Sequence, residues 1–181
     1  MFCHRLGWIA CRRNDGDAET DFAAAACSDA ALAAAEQVIY SAFFHFVVDL
    51  QKEATDLANE GKKGDTLRRY IQTQSGLTDE EARKLNEIAV ACVEQISQQD
   101  ARALIIIQKF QTQFPGGKVP AGIKLPPPPP ELTELQQERD HIILAAKSQL
   151  AGELGDASFD KVAKFAERRI AFKPQTGSPG R

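Results

Sequence analysis

Residues 78–113 limit what this chain can fold into more than any other stretch. They read as one helix about 54 Å long at 1.5 Å per residue. The helix opens at Leu77-Thr78-Asp79-Glu80-Glu81. Thr78 is placed to accept a bond from a free amide, and Glu81 to reach back to the cap, with acids at the positive end of the helix dipole. Apolar or small residues then recur at alternating four- and three-residue steps: Leu85, Ala89, Cys92, Ile96, and further on Ala103, Ile106 and Phe110. Gln99 is the one polar break in this coiled-coil-like seam. The pattern stops at Phe114-Pro115-Gly116-Gly117. A helix with one continuous apolar stripe needs other helices to cover it, which makes the chain all-α.

The remaining elements fit that frame. From about Asp29 an alanine-rich stretch passes into a helix running to about Asn59, with Ile39, Phe43, Phe46, Leu50, Ala54 and Leu57 on one stripe. Residues 43–48 are apolar beyond one face, so this section expects cover on two sides. Gly61 is placed to end the helix as its C′ residue. Asp65 then caps a short helix through Ser75, which turns Leu67, Tyr70 and Ile71 inward. After the long helix comes a connector with Pro115, Pro120 and the run Pro126-Pro127-Pro128-Pro129-Pro130. Such a run is extended polyproline II at about 3.1 Å per residue. It reads as a stiff strap into the next helix, since proline suits a first helical position. The alternative is a ligand motif for aromatic-grooved domains, with Leu125 and Glu131 flanking it. A helix from Glu131 to about Glu153 carries Leu132, Leu135, Ile142, Ala146, Leu150 and Leu154. Gly155 breaks it, Asp156 or Ser158 caps a last helix bearing Phe159, Val162, Phe165, Ala166 and Ile170, and residues 173–181 read as a disordered tail.

Composition narrows the class. With 43% apolar and 26% charged residues, the chain has the make-up of a globular or bundle protein. A net charge of −3 with interspersed signs is not the electrostatic footprint of a duplex nucleic-acid binder. No apolar run approaches the roughly 20 residues that cross a bilayer. Cys92 sits on the seam as a small buried hydrophobe; Cys3, Cys11 and Cys27 pair only in an oxidising compartment. Residues 1–30 are expected to be irregular. Arg5, Arg12 and Arg13 are basic, but the segment from Leu6 to Cys11 is too short for a signal-peptide core, and Ala23 to Cys27 looks like the end of an export signal without its hydrophobic segment. They read as an alanine-rich leader or as a start displaced from the native one.

The catalytic patterns in the sequence are incomplete. Glu138-Arg139-Asp140-His141 holds a single Glu-x-x-His, half of what a di-iron bundle needs, and Glu87 and Glu94 are poorly placed to complete it. His4 and His45 add no ligand spacing. Gly116-Gly117-Lys118 lacks the earlier glycine, the Ser/Thr and the preceding strand of a phosphate loop. No catalytic, cofactor-binding or metal residues are assigned.

Leu77-Thr78-Asp79-Glu80-Glu81, followed by Leu85 and Ile88, resembles the Leu-Thr-x-x-Gln signature of the Spy/CpxP-like periplasmic proteins. Leu154-Gly155-Asp156-Ala157-Ser158-Phe159 is a degraded counterpart, and residues 77–170 carry the resemblance. Glu81 stands where the family has Gln, the second signature lacks both Thr and Gln, and Met1 is the only methionine. The resemblance implies a helical-hairpin fold, a cradle-shaped homodimer, a periplasmic location and ATP-independent chaperone or stress-related work. The sequence as a whole has the look of a bacterial protein.

The resulting expectation is an all-α domain over residues 31–172. A long antiparallel hairpin, 78–154, has helices 31–59 and 156–170 packed on it. The leading function class is a non-enzymatic protein-binding module. The alternatives are a structural scaffold without client binding and a metal-dependent four-helix-bundle enzyme. Arg83, Lys84, Arg102, Lys109, Arg139 and Lys147 are candidate docking positions on the hairpin. Residues 43–48, 104–107 and 142–146 are expected to meet in one cluster, so that Ile106→Glu would cost several kcal/mol.

Overall fold

The computed structural model describes residues 20–112 and 127–171, with side chains over 35–112 and 127–170. These residues form helices and connecting turns, with no strand among them: α1 (Thr20–Asn59), α2 (Asp65–Arg68), α3 (Tyr70–Ser75), α4 (Asp79–Gln111), α5 (Pro130–Leu154) and α6 (Asp156–Ala171). Residues 1–19, with Cys3 and Cys11, lie outside the described residues. So do 113–126, with most of the connector, and the tail expected at 173–181.

Helix α1 begins at Thr20, earlier than the sequence pattern implied. Alanine is the strongest helix former, so the alanine-rich run from Ala23 needs no apolar stripe to be helical. Backbone contacts divide the chain after Ala34, and the packed unit begins at Ala35.

Within that unit α4 and α5 make the closest backbone pairing. Ala89, Cys92 and Ala146 are buried, and such small side chains let two helix axes approach. The antiparallel register is marked by two ion pairs, Lys84 Nζ to Glu153 Oε2 at 2.9 Å and Arg139 Nε to Asp100 Oδ1 at 3.4 Å. Helix α1 joins through bulkier side chains. Phe43, Phe44 and Val47 are wholly buried, which bears out the two-sided cover expected of this section. Tyr40 stacks on Phe159 at 6.3 Å, while Phe43 and Tyr70 meet Phe165 edge-on at 6.3 and 6.2 Å. Such ring pairs add about 0.5–1.5 kcal/mol each beyond their area.

Turn geometry follows the sequence closely, with two differences. Gly61 ends α1: its amide donates to Ala58 O, and that of Lys62 to Leu57 O at 2.8 Å. The short helix expected over 65–75 is two, because Arg69 leaves helical angles (φ −92°, ψ 1°). Gly64, not Asp65, holds the cap position, and no side chain caps it. A Cβ on Gly64 would overlap the carbonyl of Ala54, so glycine is needed for the loop to lie on α1. Pro129 has extended angles and Pro130 is the first residue of α5, the role foreseen for a proline strap. Gly155 joins α5 to α6 at φ 69°, ψ 164°, a region that is essentially closed to residues with a Cβ.

The expected three-part cluster forms only in part. Residues 43–47 and 143–146 enter the core, but 104–107 do not. On α4 no residue after Ile96 is buried, and on α5 none before Ile143. In the register marked by the ion pairs, Ile96 and Ile143 are level, so the core ends at one height on both helices. Beyond it Ala103, Ile106, Ile107 and Phe110 on α4 and Leu132 and Leu135 on α5 are half-buried, while Leu104 and Ile105 are 56% and 54% exposed. The apolar pattern of 104–107 reflects a surface, not an interior.

Denaturant melts will therefore separate the two halves of α4. Ile96→Ala should cost about 2–5 kcal/mol, and Ile106→Glu only about 1 kcal/mol. Gly155→Ala has space for its methyl and should cost about 1–3 kcal/mol through backbone strain alone.

Candidate functional site

Of the six candidate docking cations, four are engaged within the fold. Arg83 pairs with Glu80 and Glu87, each at 2.5 Å. Lys84 binds the carboxylate of Glu153 and approaches its carbonyl. Arg139 ties α5 to Asp100 of α4 and donates to Ser41 Oγ of α1 at 3.3 Å. Lys147 pairs with Glu36 at 2.7 Å and lies 5.3 Å from the centre of the Tyr40 ring. Burial first, then Glu36 and Glu167, pushes the Tyr40 phenol up to about 12. Arg139 and Lys147 act as clasps between helices. Arg102 and Lys109 remain, exposed and without an ion pair among the described residues.

The two helix openings singled out in the sequence meet in space. Thr78 and Glu81 form the expected reciprocal cap, with Glu81 N donating to Thr78 Oγ1 at 3.3 Å and Thr78 N to Glu81 Oε2 at 2.7 Å. Ser158 at the start of α6 lies near the same carboxylate and helps to lower its pKa. Leu77 and Leu154 both lie in the core beside this junction. Ser158, and then the hydrogen bonds from the Thr78 amide and hydroxyl, hold the Glu81 carboxyl down to about 2.

Glu138 and His141 lie on the rim of an open groove between α4 and α5. With a volume of about 420 Å³, it is lined by Gln99, Gln137, Glu138, His141 and Ile142. The Oε1 of Gln99, the polar break in the α4 seam, is buried there without a hydrogen-bond partner. Among the described residues no three His, Cys, Asp or Glu side chains are gathered as a metal site. Glu87 and Glu94 are exposed on α4 and His45 is half-buried on α1. The glycines and lysine at 116–118 lie outside the described residues. Cys92 is buried, which pushes its thiol up to about 11 and makes it a poor nucleophile. What the geometry offers is surface, an amphipathic two-helix segment with exposed Leu104 and Ile105.

No helix among the described residues is long and apolar enough to cross a membrane. No family model, curated protein or solved structure matches the chain.

The Glu81 junction yields a pH dependence. Its pKa lies below the usual carboxylate value near 4.5, so its share of stability is complete above that value and disappears as pH falls towards about 2. Glu81→Gln should flatten the acid limb of a Tm–pH curve between those values, and an unaltered limb would place the acid sensitivity elsewhere. Thr78→Ala, which removes the cap acceptor, should cost about 1 kcal/mol at pH 7.

Proposed function

We propose that this chain is a non-enzymatic, protein-binding helical module that holds unfolded or partly folded clients, as the Spy/CpxP-like resemblance implies. The observation that carries the proposal is the exposure of Leu104 and Ile105 on the half of α4 that extends past the core. Exposed apolar side chains rimmed by charge are what a protein-binding surface presents. The surface is helical and amphipathic, so it matches apolar segments without demanding one sequence. Binding of this kind needs neither ATP nor a catalytic residue. On the core half of the hairpin Arg83, Lys84 and Lys147 are engaged within the chain, whereas Arg102 and Lys109 of the outer half make no ion pair among the described residues.

Light scattering of an aggregating client, at several ratios and without ATP or metal, tests the proposal. Near-stoichiometric protein should suppress the signal, and client should be released as it folds. Leu104→Glu with Ile105→Glu should abolish suppression while changing stability by less than about 0.5 kcal/mol per site. Aggregation that proceeds as in buffer, with the protein still folded, would leave the plain scaffold reading in place.

A further inference from the structure

The proline run ahead of α5 is longer than a helix start requires. A start takes one proline at the first helical position, and Pro130 fills it. The prolines before it are not packed into the fold: Pro127 and Pro128 are exposed, Pro129 is half-buried and Pro130 is exposed again. Pro129, at φ −52° and ψ 136°, lies near polyproline II. That helix has three residues per turn, so Pro127 and Pro130 share one edge, and both are open to solvent. The Pro129 carbonyl accepts from the Leu132 amide at 3.0 Å, while among the described residues no hydrogen bond of the chain reaches the carbonyls of Pro127 and Pro128. Directly after the prolines the surface is acidic. Glu131, Glu134 and Glu138 recur at steps of three and four, are exposed, and make no ion pair among the described residues. The helix dipole accounts for Glu131 in the first turn, but not for Glu134 and Glu138 beyond it.

We propose that Pro127 to Pro130, with the acidic first turns of α5, form a docking site for a folded proline-recognition domain whose aromatic-lined groove has a basic rim. Such grooves seat prolines three residues apart against aromatic side chains, which is the spacing of Pro127 and Pro130 on their exposed edge. Donors in the groove meet the free Pro127 and Pro128 carbonyls. Docking costs little conformational freedom, because the proline rings fix the backbone and α5 anchors its end. Charge then decides which groove fits. Glu131, Glu134 and Glu138 attract a basic rim and repel an acidic one. The site uses neither Leu104 nor Ile105, and its partner is a folded domain, so the proposal does not rest on client capture.

Surface plasmon resonance tests it, with the full chain titrated over immobilised EVH1, WW and SH3 domains that include basic-rimmed and acidic-rimmed grooves. The expected result is saturable binding to basic-rimmed domains that weakens as salt rises. Pro127→Ala/Pro128→Ala keeps Pro130 at the start of α5 and should weaken binding roughly tenfold or more. Glu131→Lys/Glu134→Lys should shift the preference towards acidic rims. All four substituted side chains are exposed, so circular dichroism should show the parent's helix content in both variants. Binding to none of these domains overturns the proposal, as does binding that survives the proline variant or a parent that prefers acidic rims. Domain binding that is lost in Leu104→Glu/Ile105→Glu also overturns it. A chain that binds the domains through its prolines but suppresses no aggregation supports it, and overturns only the client-binding reading.

Discussion

The core of this protein stops at one height, and most of its other features follow from that. Ile96 and Ile143 are wholly buried and stand level on α4 and α5, Ile96 as the last buried residue of its helix and Ile143 as the first of its own. Below them the hairpin is enclosed by the aromatic face of α1, the short helices and α6. Above them α4 continues to Gln111, about 22 Å further at 1.5 Å per residue. A pair of helices has too few neighbours to exclude water from every apolar side chain. Leu104 and Ile105 accordingly stay in solvent, and the residues around them are only half covered.

The enclosed half is tied together by contacts that cross between elements. Lys147 links α5 to α1 through Glu36 and the Tyr40 ring, and Arg139 links α5 to both α4 and α1. At the opposite end of the core, Glu81 caps α4, with Ser158 at the start of α6 near its carboxylate. Gly155 makes that meeting geometrically open, because its left-handed backbone turns the chain directly from α5 into α6. Exposed ion pairs contribute little individually, so their value here lies in marking register. It is the apolar and aromatic packing around Phe43, Phe44 and Val47 that supplies most of the stability.

Much of this arrangement was legible from residue periodicity and caps. The α4 capping box, the Gly61 and Gly155 breaks, Pro130 as a helix start, and the burial of Leu85, Ala89, Cys92 and Ile96 all depend on local chemistry and helical spacing. Residues 104–107 were misjudged because an apolar run looks the same whether a third helix covers it or not. That depends on where α1 crosses the hairpin, which no local pattern encodes. The four clasped cations were equally opaque. Arg139 and Lys147 look like solvated helix flanks until tertiary packing brings Ser41, Asp100 and Glu36 to them. The polar break at Gln99 was visible, but its place three residues beyond the last buried position of α4 was not.

Amide hydrogen exchange read along α4 and α5 over a series of protein concentrations tests the account most directly. In dilute protein, amides of residues 85–96 and 143–154 should exchange near the free energy of global unfolding, and those of 97–111 and 130–142 through smaller openings. Protection that runs evenly to Gln111 at every concentration would contradict a core that ends at Ile96.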